Sequence, residues 1–318
     1  MTLRTPLAEL LGIRYPIIQA GMSWASSNSA LALAVSAAGG LGVIAAGPMY
    51  PQALLAAIGQ VRAGTDKPFA VNIPLYNKRA QEYLDIAIDE RVPVIVASQG
   101  SPAQHIGRAR AAGIKWVQVT ANPRHAIKAA AAGVDAVVAA GFEAGGHRGA
   151  DEIGTLVLVR ATVRAVSVPV IAAGGIADGA GIAAALCLGA QAVQLGTRFL
   201  LTPEAGVHDA YKQAVLAADV AGTALVGRGR SPVRVVRNAF AHEYLAAEQA
   251  GGDAHTLNAL FGSRSLRQSA MDGDVAQGKV EAGQSAGLID ALMPAAEVME
   301  QLVRETRQAL ARAAALAG

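Results

Sequence analysis

The sequence has almost no cysteine and comparatively little charge. Among 318 residues the single cysteine is Cys187, so no disulfide can form within the chain. Cys187 lies between Leu186 and Leu188 in a helical stretch, and we expect its thiol to be buried. Charged residues make up 16% of the chain and the net charge is +3, without a run of lysine and arginine. We therefore expect no nucleic-acid partner.

Long apolar runs and metal-binding spacings are also absent from the sequence. No stretch of about 20 apolar residues lacks a glycine, proline or polar interruption, and the N-terminus has no continuous apolar segment. We therefore predict neither a membrane helix nor a signal peptide, and expect a cytoplasmic protein. No Cys/His spacing typical of zinc, no G-x-S-x-G and no P-loop occurs, so we expect no metal. The 53% of hydrophobic residues suffice for a large core.

What the sequence does contain is a repeated helix–strand pattern. An alanine-rich helical stretch ends at a glycine and continues into an apolar strand at 37–45, 111–119, 131–139 and 187–195. Four further apolar strands are predicted at 15–20, 69–73, 92–95 and 168–171. Continuously apolar strands are typical of a parallel sheet that is buried on both faces. Eight such units in about 200 residues predict an α/β fold, the TIM (β/α)8 barrel. A doubly wound sheet is the alternative, but its G-x-G-x-x-G turn is missing.

After Leu200 the sequence becomes more polar and reads as helical, without a clear strand. We predict a small helical insert domain at 206–272, after the eighth strand. Residues 1–205 plus 273–318 then form the barrel, which ends in an amphipathic helix at the C-terminus.

In TIM barrels the site lies at the carboxyl ends of the strands, where two glycine-rich loops stand out here. The sequence GGIADG (174–179) follows the seventh predicted strand, and Gly196 and Thr197 follow the eighth. Glycines let backbone N–H groups approach phosphate oxygens, and these are the two loops that bind phosphate in many barrels. We predict a phosphate site there; tight turns without a ligand are the alternative.

The sixth predicted strand runs into GFEAGGHRG (141–149), which contains His147. Histidine titrates near neutral pH, and at this end of the barrel it is a candidate for proton transfer. A solvated loop histidine is the alternative. The nearby acids Glu143, Asp151 and Glu152 either orient His147 or solvate the loop. For the arginines of GRGRSPVRVVRN (227–238) we expect a solvated surface, with an anionic cofactor as the alternative.

The segments PIIQAGM, AGGLGVI, DKPFAVN, GFEAGGHRG, VPVIAAGGIADG, AVQLGTRFL and AGQSAGLI resemble the nitronate monooxygenase (2-nitropropane dioxygenase) family, in order from about Pro16 to Ile289. The same motifs occur in flavin-dependent enoyl-ACP reductases and NADH:quinone reductases, and the segment at 272–290 resembles these reductases. The resemblance implies a TIM barrel that binds FMN non-covalently. It implies that His147 is the catalytic residue. The family's flavin contacts fall on Ala20, Gly21, Met22, Asn72, Gln118, Gly145, Gly174, Gly175, Gly196 and Thr197.

The reaction that the resemblance implies is oxidation of a small nitronate or nitroalkane with O2, and His147 takes the α-proton of a neutral nitroalkane. An NAD(P)H-dependent reductase of enoyl-ACP or quinone is the alternative, and a non-enzymatic flavin- or phosphate-binding module is a third. Inosine-monophosphate dehydrogenase relatives require a catalytic loop cysteine, whereas Cys187 lies in a helix. The sequence leaves open whether NAD(P)H is an electron donor and whether the protein forms a homodimer.

Overall fold

The computed structural model describes residues 3–316. Eight parallel strands form one sheet, and every predicted strand is present in order. They are β1 (Ile17–Gln19), β2 (Gly42–Ala45), β3 (Phe69–Pro74), β4 (Val94–Ser98), β5 (Lys115–Thr120), β6 (Ala136–Ala140), β8 (Val170–Ala173) and β9 (Ala192–Leu195). A two-residue strand, β7 (Gly146–His147), leaves the barrel after β6.

The sheet closes on itself between β1 and β2. The order of strands runs from β1 through β9, β8, β6, β5, β4 and β3 to β2, and Ile18 bridges to Leu41 across the remaining gap. The N–H of Leu41 donates to the carbonyl of Ile17, and the N–H of Gln19 donates to that of Leu41. The side chain of Gln19 extends this seam, because its Oε1 accepts from the N–H of Val43 at 2.8 Å. The protein is a TIM barrel, as the sequence predicts.

The barrel is filled by small and branched side chains from alternate strand positions, as expected for a packed interior rather than a pore. The interior cluster contains Ile18, Leu41, Val43, Ala70, Val94, Val96, Val117, Ala136, Val138, Ile171, Ala173 and Ala192. Its amino-terminal end is closed by α1 (Pro6–Leu11), which begins with Thr5 as side-chain cap and Pro6 at its first turn. Leu7 and Leu11 of this helix belong to the interior cluster.

Helices surround the barrel and bury the other face of each strand. They are α2 (Ala30–Ala37), α3 (Pro51–Gly64), α4 (Ala80–Asp89), α5 (Ile106–Ala111), α6 (Pro123–Ala131), α7 (Thr155–Ala165), α8 (Gly179–Cys187) and the short α9 (Thr197–Leu200). The C-terminal α14 (Ala295–Ala315) packs against α8, and the N–H of Gly179 donates to Glu305 at 3.0 Å. Within residues 3–316 no helix has the length and apolar character needed to cross a membrane.

The structure contradicts the prediction that the thiol of Cys187 is buried. Cys187 ends α8 on the solvent side and is exposed. In this helix Ile182, Ala183 and Ala185 turn inward. Adjacent residues of a helix point about 100° apart, so the leucines on either side of Cys187 do not indicate whether Cys187 itself is buried.

Residues 206–272 contain the predicted helices and also two strands that the sequence analysis missed. The helices are α10 (Asp209–Leu216), α11 (Ala239–Gln249), α12 (Ala254–Gly262) and α13 (Leu266–Ala270). The strands β10 (Thr223–Val226) and β11 (Val233–Val236) form an antiparallel hairpin, and β11 pairs in turn with β7. Val226, Val233 and Val235 pack against Phe240 and Tyr244 in a small core of their own. The boundaries of a separate insert domain stay a prediction.

Candidate active site

Residues of β3 and of the loops after β1 and β9 meet at the carboxyl-end face of the barrel. A Cβ built on Gly21 would lie 2.4 Å from Cβ of Asn72 in β3, and one built on Gly196 would lie 3.5 Å from the sulfur of Met22 and 3.7 Å from Cβ of Ala20. All five residues remain partly accessible to solvent. Five of the predicted cofactor contacts, from three strands and the loops that follow them, thus surround one accessible mouth.

The glycine loop after β8 has the conformation and the close contacts that exclude larger residues. Gly174 and Gly175 have φ angles of 98° and 69°, which favour glycine. A Cβ on Gly174 would lie 2.9 Å from Oγ1 of Thr155, and one on Gly175 would lie 3.4 Å from Cβ of Glu143. Among residues 3–316 the backbone N–H groups of Gly175, Gly196 and Thr197 donate to no protein acceptor. These donors lie at the ends of two adjacent strands and suit a phosphate.

The loop after β6 closes over this rim together with a segment near the C-terminus. A Cβ on Gly145 would lie 2.6 Å from the carbonyl carbon of Ala282. The N–H of Gly283 donates to Oγ1 of Thr197 at 3.0 Å. The loops that carry Gly145 and Thr197 are therefore joined through residues 282–283. The predicted contacts Gly145, Gly174, Gly175, Gly196 and Thr197 all lie in this one region.

Gln118 lies elsewhere. Its Oε1 accepts from the indole of Trp116 at 3.2 Å, and its Nε2 donates to the carbonyl of Gly100 at 3.3 Å. Its neighbours Val117 and Val119 pack in the barrel interior. Because side chains alternate along a strand, Gln118 faces the outer helix layer. The structure does not bring its amide together with the other predicted cofactor contacts.

His147 is held in a sheet rather than in a free loop. As part of β7 it pairs with Val233 of β11, and the next N–H, that of Arg148, donates to the carbonyl of Pro232 at 2.8 Å. The residue is exposed at the mouth, yet the protein around its ring lowers the pKa of His147 below its usual value. Desolvation is the main cause, followed by the positive charges of Arg148 and Lys279. The imidazole is therefore neutral at physiological pH.

The three acids near His147 have other partners: Glu143 has a structural role, whereas Asp151 and Glu152 are exposed, as expected for residues that solvate the loop. Glu143 accepts hydrogen bonds from the N–H of Thr155, at 3.0 and 2.9 Å, and from its hydroxyl at 2.7 Å. It thus caps the N-terminus of α7. Asp151 accepts from the amide of Asn122 at 2.6 Å, and Glu152 pairs with Arg228 at 2.8 Å. None of the three orients His147.

Buried cations behind the mouth were also missed by the sequence analysis. Arg234 is 4% exposed, so it is not the surface residue that the sequence analysis expected. Its Nε donates to the carbonyl of Phe142 at 3.1 Å, and its guanidinium lies 4.7 Å from the centre of the Phe142 ring. Arg148 donates to the carbonyl of Gly141 at 3.2 Å, and burial lowers its pKa to about 10. Both arginines hold the loop after β6 in place.

The structure adds Glu281 to the residues at the mouth. Its backbone bridges to Val235, and a Cβ on Gly146 would lie 2.8 Å from its Oε2. Burial raises the pKa of Glu281 to about 7, against the opposing charges of Lys279 and Arg148. In the sequence, Glu281 directly precedes AGQSAGLI, one of the segments that carry the family resemblance, and this position could have identified it.

A TIM barrel that gathers glycine-rich loops and an exposed histidine at its carboxyl end belongs to the class of TIM-barrel enzymes. The model of the nitronate monooxygenase family matches residues 4–87 and 77–305. The chain therefore belongs to the nitronate monooxygenase family, and it is an oxidoreductase rather than a non-enzymatic binding module. A flavin is the class of cofactor that fits this family.

Individual relatives differ in what they are named for. The chain is 35% identical to a (3aS,4S,5R,7aS)-5-hydroxy-7a-methyl-1-oxo-octahydro-1H-indene-4-carboxyl-CoA dehydrogenase of Mycobacterium tuberculosis (strain ATCC 25618 / H37Rv), over 99% of each chain. It is 38% identical to a nitronate monooxygenase of Pseudomonas aeruginosa, over 94% of this chain and 98% of the relative. The solved structure of FabK from Thermotoga maritima has a TM-score of 0.93 and 41% identity, over 99% of this chain and 100% of that one.

Proposed function

We propose that this protein binds FMN and oxidises small nitroalkanes and their nitronates, with His147 as the base that takes the α-proton of the neutral nitroalkane. The observation that carries the proposal is a neutral histidine, fixed on a strand, beside a rim of glycines with free N–H donors. The family match supports the reaction type. O2 is the final electron acceptor that the resemblance implies.

The residues at the rim fit the phosphate of FMN. The free N–H groups of Gly175, Gly196 and Thr197 would hold its oxygens. The positive φ angles of Gly174 and Gly175 give the loop the conformation that exposes these donors. Ala20, Gly21, Met22, Asn72 and Gly145 line the accessible mouth in which the flat ring system would lie. Gln118 is our weakest proposed contact, because its amide points into the helix layer. When bound, FMN supplies the acceptor for the electrons that leave the substrate.

The protein's own contribution is to remove and hold a proton. A base must be unprotonated before it can act, and the lowered pKa of His147 leaves its ring free at neutral pH. Its pairing with Val233 fixes the backbone from which the ring extends. The proton of the substrate α-carbon moves to a ring nitrogen of His147, and the nitro group takes the negative charge.

Anaerobic mixing of the flavin-loaded protein with possible reductants tests this function. Under argon we expect propionate-3-nitronate to bleach the flavin absorbance quickly, because the substrate itself provides the electrons. NADH and NADPH should do so slowly or not at all. Fast bleaching by NADH with none by the nitronate would overturn the proposal.

A reductase or dehydrogenase acting on an acyl thioester is the second candidate. It is favoured by the similarity to a carboxyl-CoA dehydrogenase and to FabK over nearly the whole chain. The hairpin beside the mouth also carries the exposed cations Arg228 and Arg237, which could contact phosphates of a nicotinamide or of CoA. The same stopped-flow experiment separates the candidates: NADH or NADPH bleaches the flavin of a reductase, whereas the flavin of a thioester dehydrogenase is bleached by neither NADH nor the nitronate.

A further inference from the structure

Glu281 has a carboxyl group without a partner at the mouth of the barrel. Among residues 3–316 its oxygens accept no hydrogen bond, and no ion pair includes it. The residue is partly accessible, and its Oε2 lies against Gly146, directly before His147. Glu281 also precedes Ala282 and Gly283, which contact the predicted cofactor loops.

The pairing of β11 places Glu281 and His147 along one edge. Val233 pairs with His147 and Val235 bridges to Glu281. Two positions along a strand correspond to roughly 7 Å. The two residues are therefore neighbours along this edge, close enough for one small ligand to contact both.

Charged and titratable groups surround Glu281 from every packed element, but each is engaged elsewhere. The ammonium of Lys279 lies 3.4 Å from the centre of the Phe261 ring, and Arg148 donates to backbone carbonyls of its own loop. Tyr211 of α10 donates its hydroxyl to the backbone carbonyl of Glu281 at 2.9 Å, not to the carboxyl. Arg234 of β11 donates to Phe142, and His147 is neutral. The carboxyl is therefore left to interact with what enters the mouth.

We propose that Glu281 determines which charge the mouth accepts: its carboxyl takes up a proton from solvent before an anionic group, such as a nitronate or an enolate, binds beside it. The resulting O–H donates a hydrogen bond to an oxygen of the anion, whereas the carboxylate repels it. Neutral substrates bind without this proton. The proposal rests on the proposed function and makes neutral nitroalkanes, rather than pre-formed nitronates, the preferred substrates above neutral pH.

The pKa of Glu281 is raised to about 7, and this value determines how anion binding depends on pH. The carboxyl is mostly ionised above this value, so anion binding must pull a proton onto it and weakens as the pH rises. The pKa of His147 is lowered below its ordinary value, whereas burial lowers the pKa of Lys279 beside Glu281 to about 8. Glu281 and Lys279 therefore both titrate in this window, and the Glu281→Gln variant separates their effects. Binding of an anion should become weaker by up to ~10-fold for each pH unit above 7, the limit for one linked proton.

The test uses two inert ligands of similar shape, isobutyrate and isobutyramide, with the flavin-loaded protein. Calorimetric titrations from pH 6.5 to 8.5 should show isobutyrate binding that weakens with pH in the wild type, and isobutyramide binding that does not change. Glu281→Gln should reduce the pH dependence to the part that Lys279 contributes, and it should bind isobutyrate at least ~10-fold more tightly than the wild type at pH 8.5. Glu152→Gln, which removes an exposed carboxylate of the nearby loop, should behave as the wild type.

Proton uptake on binding provides a second measurement. At pH 8 isobutyrate should take up close to one proton more with the wild type than with Glu281→Gln, read from titrations in buffers with different ionisation enthalpies. No proton uptake, no isobutyrate binding at pH 6.5, or an unchanged pH dependence in Glu281→Gln would each overturn the proposal. Because neither ligand is oxidised, the result is independent of whether the protein oxidises nitronates; that function fails separately in the anaerobic experiment.

Discussion

At the residue scale the candidate chemistry depends on a neutral histidine rather than on a charged dyad. The acids of its own loop are engaged in a helix cap, in an amide contact and in an ion pair with Arg228. Desolvation and two cations lower the pKa of His147. This arrangement suits a base that removes a proton from a neutral carbon acid.

Replacement of His147 by alanine tests its role as the base. Oxidation of a neutral nitroalkane should slow by at least ~10²-fold, the usual scale for loss of a general base. The rate of oxidation of the pre-formed nitronate, from which no α-proton has to be removed, should decrease less. FMN should stay bound, because the phosphate donors lie in other loops. Steady-state rates with both substrates and the flavin absorbance provide the measurement, and equal losses on both substrates would rule out the base.

Gly175 carries a second prediction, because its φ of 69° strains any residue that has a side chain and a Cβ there would contact Glu143 at 3.4 Å. Gly175→Val should place methyl groups in the phosphate site and empty it of flavin, which visible absorbance after purification and reconstitution with FMN would detect. Gly113→Val is the matched control: its φ of 77° imposes similar backbone strain, but no atom lies within 4 Å of its Cβ. If both variants retain FMN equally, the phosphate lies elsewhere.

The sequence determines positions along the chain better than side-chain directions. His147 and the glycines could be placed at the barrel mouth because strand ends follow from the repeat. Gln118 could not, since one residue along a strand reverses the side-chain direction. Arg234 looked like a surface residue because nothing local indicates that Phe142, which is far away in sequence, covers it. Glu281 likewise acquires its neighbours only through folding.

At the scale of elements, the hairpin β10–β11 is the part of the fold that positions His147. The alternation in TALV and VRVV is weak evidence for strands, and its partner, a two-residue strand about 85 positions earlier, carries no strand signal of its own. Long-range pairing rather than local preference creates this sheet. The sequence therefore predicted the histidine but not the structure that holds it.

Arg234→Met tests whether the hairpin positions the histidine. The variant loses the hydrogen bonds to Phe142 and to Thr223, so the loop before His147 is less firmly held. We expect kcat with a neutral nitroalkane to fall by ~10- to 10²-fold, the scale for slight misplacement of a catalytic group, while FMN affinity stays nearly constant. Arg237→Met is the control, because within residues 3–316 the guanidinium of Arg237 donates only to the carbonyl of Ala221, at the exposed side of the hairpin. Similar kcat values for both variants would contradict the positioning role.

At the scale of the whole molecule, the candidate site and the closed, tightly packed end lie at opposite ends of the barrel. The carboxyl end carries the partly exposed glycines, the histidine and Glu281. The amino end is closed by α1, whose Leu7 is fully buried in the barrel interior. This division is general in TIM barrels, and it allows loops to change without loss of the fold.

Leu7→Ala tests this separation, because it removes a buried side chain from the closed end of the barrel. Loss of a buried leucine costs about 2–5 kcal/mol of unfolding free energy, which denaturant or thermal unfolding should detect. Leu10→Ala on the same helix is the control: Leu10 is 39% exposed, and its loss should change stability by less than ~1 kcal/mol. Flavin affinity and turnover at 25 °C should stay within about twofold of the wild type in both variants, because a cavity at this end leaves the loops at the other end in place. A Leu7→Ala protein of normal stability that loses its flavin would show that the two ends are coupled, and the assignment of α1 to a purely structural role would then be wrong.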